Sequence, residues 1–153
     1  MSGNALAIAV FFLAAGAGQL LLRVYADRTA AGRRSSRLLL ASESLAYLWR
    51  QSVNGAPLVA CGFLMFGVAV LVPRQFGAVL ALLGIVTIEL AIALTHLRPM
   101  TLMPGWLRAE IVAGIATFSG PDRADWILFW ILVVVGIVAD VAVVLLITGM
   151  RWA

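Results

Sequence analysis

The chain contains no lysine, a single cysteine (Cys61) and a single histidine (His96). A Gly-rich phosphate loop needs a lysine at its end, so that class is excluded. One cysteine cannot close an internal disulfide, and no Cys/His spacing suits a metal. Cys61 sits in an apolar run and reads as a small buried hydrophobe. One histidine excludes the H-E-x-x-H zinc motif and bis-imidazole haem ligation, and there is no C-x-x-C. No serine lies in an apolar run, and Ser42 and Ser44 read as surface-helix residues, so nothing supports a Ser–His–acid set. The expectation is no cofactor, no metal site and, on balance, no enzyme.

Charge is also scarce. Only 12% of residues are charged and 63% are hydrophobic, where soluble domains carry roughly 25% charged residues. A soluble core cannot absorb that apolar excess, so a bilayer must. The 153 residues allow one membrane domain and no separate soluble one. All eleven basic residues are arginine, a bias of the kind a GC-rich genome imposes. They flank apolar runs instead of forming a basic face on a soluble element. Topology therefore explains them better than nucleic-acid binding, and no nucleic-acid partner is expected.

Four apolar runs are present, at about 5–22, 55–72, 76–95 and 127–149. At ~1.5 Å per residue each approaches the ~30 Å needed to cross the hydrocarbon. The fold predicted is an all-α membrane bundle of four transmembrane helices. The first run is followed, not preceded, by arginines, so an uncleaved anchor is expected despite the small residues Ala15-Gly16-Ala17. Thr29 to Ser36 reads as a turn or loop. Ser36 then caps an amphipathic helix at about 36–51, with Leu38, Ala41, Leu45 and Leu48 on one face and Trp49 beside them. It lies on the membrane surface or packs on the bundle's end. Asn54 and Pro57 open the second run, and Pro73-Arg74-Gln75 turns the chain into the third. That run ends near His96-Leu97-Arg98-Pro99. Pro104-Gly105 breaks the next connection before a second interfacial helix at about 106–118, with a re-entrant segment as the rival. Asp125 is a candidate cap for the last run. Trp49, Trp106, Trp126 and Trp152 suit interfacial anchors, and Trp130 extends that belt or packs inward.

The two long connections hold Arg23, Arg28, Arg33, Arg34, Arg37, Arg50, Arg98, Arg108 and Arg123, against Arg74 and Arg151 on the other side. By the positive-inside rule both connections are cytoplasmic and both termini outside, in a bacterial plasma membrane. A weak internal repeat at an offset of 70 places Gln19 on Glu89 and Arg28 on Arg98.

The candidate site residues are the polar groups inside the runs: Gln19, Arg23, Glu89, His96 and Asp140. Glu89 and His96 share a helix face, as do Gln19 and Arg23. Counted at ~1.5 Å per residue, both pairs fall in the cytoplasmic half, which predicts one cluster of four. The same count puts Asp140 ~10 Å further out, too far to pair with Glu89. Its neighbours Gly136, Ala139 and Ala142 suit close helix packing.

Three function classes fit. The leading one is a non-enzymatic accessory or assembly subunit of a membrane complex, with its arginine-bearing connections docking a partner protein or anionic lipid headgroups. The second is a small proton- or cation-coupled carrier using Glu89 or Asp140, working as an oligomer because four spans rarely enclose a path. The third is a lipid-modifying membrane enzyme, which requires a lateral apolar pocket ending on a carboxyl.

Overall fold

The structure, a computed structural model, describes residues 3–41, 53–98, 100–116 and 122–150. Those residues form six helices and no strand: α1 (Gly3–Arg28), α2 (Ala30–Ala41), α3 (Ala56–Leu71), α4 (Arg74–Leu97), α5 (Gly105–Val112) and α6 (Arg123–Met150). Three of them, α1, α4 and α6, are long and apolar enough to cross a membrane. The shorter α3 is apolar too, with 16 residues, or ~24 Å at the usual rise.

The long helices pack in a row. α1 lies on α3, α3 on α4 and α4 on α6, while α1 and α6 share no comparable interface. Small residues let the axes approach. Gly62 and Gly84 face each other across α3 and α4, and Gly16 meets Ala60 and Leu64 across α1 and α3. This is the packing expected where lipid removes the hydrophobic drive between helices and van der Waals contact decides instead.

Apart from His96 and Phe129 between α4 and α6, the large buried side chains lie elsewhere. Leu40 and Leu107, 1% and 0% exposed, join Ala26, Val53 and Met103 in a cluster at one end of the row. Here α2 and α5 fold over the end of α1 and the start of α3. Trp106, Leu39 and Ile111 pack around that cluster. Both long connections therefore meet at the same end. Across them Arg37 Nε donates to Glu110 Oε2 at 2.8 Å, and a second Arg37 nitrogen pairs with Glu110 Oε1.

Several element ends differ from expectation. α1 runs six residues past Leu22, because Asp27 pairs with Arg23 one turn earlier and helix remains favourable. α2 begins at Ala30, where a loop is expected up to Ser36. Thr29 is its cap, with Oγ1 accepting the Gly32 N–H at 2.9 Å. Ser36 sits inside the helix, donating to the Gly32 carbonyl. The rest of the expected amphipathic helix, 42–51, lies outside the described residues. α3 is capped at Gly55 without a side-chain bond, so Asn54 does not act as its cap, whereas Pro57 does fall in the first turn. Pro73 directly precedes α4, a tighter turn than three residues. α5 stops at Val112, short of 118, and Gly114 at φ 71° turns the chain away. α6 is capped by Asp122. Its Oδ1 accepts the Asp125 N–H at 2.7 Å, and Asp125 Oδ2 accepts the Asp122 N–H at 3.2 Å, a reciprocal capping box.

Candidate functional site

Four of the five polar residues, Gln19, Arg23, Glu89 and His96, do not form the single cluster expected of them. Arg23 belongs to the end layer. It forms an ion pair with Asp27 at 3.0 Å and donates to the carbonyls of Val53 and Leu102, both at 2.8 Å, and of Asn54 at 3.5 Å. Its side chain is 17% exposed. These bonds tie α1 to the start of α3 and to the segment before α5. They direct the guanidinium away from Glu89, with α3 standing between α1 and α4. Gln19 is half-buried on α1, and its Oε1 accepts no hydrogen bond from a described residue.

His96 is buried among aromatics. Its ring stacks on Phe129 at 4.5 Å and 12°, and meets Trp126 edge-on at 4.3 Å. The imidazole thus locks the end of α4 to the first turns of α6.

Glu89 and Asp140 meet in the middle of α4 and α6. The Glu89 carboxyl is seated against Gly136: a Cβ there would come within 1.8 Å of Oε1. From that seat it faces the Asp140 carboxyl within side-chain hydrogen-bonding reach. This corrects the separation expected from counting depth. Side chains on a helix lean toward its N-terminus. In the antiparallel α4 and α6, Glu89 sits level with Gly136, one turn before Asp140, and the two carboxyls lean toward each other across that turn. No N–H or O–H of the described residues donates to Glu89 Oε1 or Asp140 Oδ1. Neither carboxyl forms a salt bridge there; Arg23 and Arg37 take Asp27 and Glu110 instead. Two carboxylates present only acceptors to each other, so their contact becomes a hydrogen bond when one holds a proton.

Beside the pair, α4 and α6 part to leave a cavity of about 310 Å³. Val86, Leu90, Ala93, Leu132 and Ile137 line it, and Glu89 is its only ionisable wall among the described residues. No group of three or more metal-ligating side chains occurs among the described residues.

Sequence reasoning flagged both carboxyls and Gly136 but not their meeting, for which the available signal was Gly136 itself, one turn before Asp140. The aromatic enclosure of His96 could have been suspected from Trp126, Phe129 and Trp130, spaced along one turn of α6.

Comparison with known proteins adds no assignment: the chain matches no family model, no curated protein and no solved structure.

Proposed function

We propose that this chain is a four-span integral membrane protein acting as a small proton- or cation-coupled carrier, with Glu89 and Asp140 as its ion-binding pair. The observation that supports this is the carboxyl–carboxyl contact across Gly136 with no cationic partner among the described residues. A carboxylate near a bilayer centre costs ~2.5–3.5 kcal/mol on insertion scales. A shared proton or a bound monovalent cation removes the repulsion and supplies the missing donor or charge. An accessory subunit would leave this costly pair without a task.

The fourth span is α3. It is short, but it turns into α4 at Pro73 and stays packed along it, while Arg23 ties its other end to the layer formed by α2 and α5. The arginine-rich end is cytoplasmic, so both termini are outside. A row of helices with α1 and α6 apart encloses no path by itself, so the working unit is an oligomer.

A second reading rests on the cavity. A lateral apolar crevice ending on Glu89 is what a lipid-modifying enzyme with a carboxyl general acid requires.

The deciding experiment imposes a pH gradient on vesicles holding the purified protein and a pH-sensitive dye. Wild type should dissipate the gradient faster than empty vesicles. Glu89→Gln and Asp140→Asn should each abolish the difference, and Thr87→Ala should leave it intact. A wild-type signal equal to that of empty vesicles sinks the carrier. Native mass spectrometry of the same preparation separates the rivals: a second polypeptide at fixed stoichiometry marks a subunit, and a retained lipid lost in Glu89→Gln marks the enzyme.

A further inference from the structure

The end layer contains a pocket that the carrier reading does not use. It measures about 380 Å³ and is lined by Arg28, Ala30, Arg33 and Arg37, where α1 passes into α2. The carboxylates touching its walls are already engaged. Asp27 accepts from Arg23 Nε at 3.0 Å and from the Trp106 indole N–H at 3.2 Å, while Glu110 is held by Arg37. Arg33 donates its Nε to the Asp27 main-chain carbonyl at 2.9 Å, its one side-chain hydrogen bond among the described residues. Arg28 makes none there. The guanidinium groups of Arg33 and Arg37 lie 5.4 and 5.8 Å from the centre of the Trp106 ring, which orients both. The pocket thus offers the guanidinium N–H donors that these bonds leave over, with positive charge in excess, a setting that suits phosphate oxygens.

The flank of α1 identifies what carries the phosphate. Leu21, Val24 and Arg28 share one helix face, and Leu21 and Val24 are exposed. An apolar strip running directly into an arginine pocket fits an acyl chain below and a headgroup above. We infer that Arg28, Arg33 and Arg37 bind the phosphodiester of an anionic glycerophospholipid whose acyl chain lies along Leu21 and Val24. The inference rests on α1 being a membrane span and is independent of the carboxyl pair.

Native mass spectrometry of the full chain in detergent, with phosphatidylglycerol or phosphatidylcholine added, tests it. Wild type should retain phosphatidylglycerol in preference to phosphatidylcholine. Arg28→Gln/Arg33→Gln should lower phosphatidylglycerol affinity about thirtyfold, the factor equivalent to ~1 kcal/mol for each of two arginines at an anionic surface. Its phosphatidylcholine binding should not change, and Arg28→Lys/Arg33→Lys should recover only part of the preference, because an ammonium keeps the charge but not the paired N–H donors. Excess inorganic phosphate should leave the lipid bound. Equal retention of the two lipids by wild type overturns the inference. So does undiminished phosphatidylglycerol binding by the double variant, or displacement by inorganic phosphate, which would mark a free-anion site. Should the double variant lose its helical circular dichroism, Arg28→Gln alone carries the comparison. In every arm Glu89→Gln should bind phosphatidylglycerol like wild type, so failure of the carrier reading is read separately.

Discussion

Arg23 and Gly136 show how much single residues hold in this protein. Arg23 supplies hydrogen bonds to three main-chain carbonyls and an ion pair, most of them in a partly buried setting. Arg23→Ala leaves those acceptors unpaired, and bonds to a charged donor contribute ~1.5–3 kcal/mol each. Thermal unfolding in detergent should drop by several degrees for Arg23→Ala, and Arg23→Lys should recover little, since an ammonium cannot span acceptors that far apart. Arg74→Ala, at an exposed position on the opposite end, should change stability by less than ~0.5 kcal/mol. Gly136 acts through space. The atoms that an added methyl would strike belong to the Glu89 side chain, which can swing aside, so Gly136→Ala should fold. Swinging aside takes the carboxyl off its seat and away from Asp140. The variant should therefore lose gradient dissipation in vesicles while keeping wild-type circular dichroism.

At the scale of elements, the contact between α2 and α5 is an electrostatic latch. The hydrogen bond from Arg37 holds the Glu110 carboxyl below the usual glutamate range. Desolvation opposes this, and the charges of Arg37 and Arg33 reinforce it. A carboxyl depressed in the folded state adds stability that is fully present above its unfolded value of about 4.3 and is lost as pH falls through the lower folded value. Protection of the amides in 105–112 against hydrogen exchange, relative to the intrinsic rate at each pH, should therefore fall on acidification below the ordinary glutamate range, and Glu110→Gln should already show reduced protection at neutral pH. The start of α6 depends on a different device. Asp122→Ala removes one arm of the capping box and should cost ~1 kcal/mol, with faster exchange confined to the first turn of α6.

The whole molecule is divided between two kinds of packing. Along the row, glycine and alanine bring helices together while Phe11, Leu21, Phe76 and much of α6 stay exposed at their flanks, a surface that lipid satisfies. At the arginine-rich end the chain instead builds a compact apolar cluster around Leu40 and Leu107, burying large side chains of the kind that the row leaves at its flanks. The division suits a bundle with one end outside the lipid and suggests a test of orientation. Single cysteines placed at Gly3 and at Arg34 in a Cys61→Ala background should react with a membrane-impermeant thiol reagent from opposite sides, Gly3 from outside. Both reacting from one side would overturn the four-span topology.

The number and approximate place of the apolar helices followed from sequence alone, since run length and hydropathy are local properties. So did the breaks at Pro73 and Pro104, where proline removes an N–H donor whatever surrounds it. The gathering of both long connections at one end was legible in the arginine count. Helix ends were less so: Thr29 and Asp122 cap α2 and α6, and each competed with a neighbour, Ser36 or Asp125, equally able to serve. The candidate site was legible only as a set of residues. Whether Glu89 meets Arg23 or Asp140 depends on which helices are neighbours and on their register, and both depend on pairs of surfaces. Close approach at Gly62, Gly84 and Gly136 set that register. The lean of side chains along antiparallel helices then joined two carboxyls that depth alone kept apart.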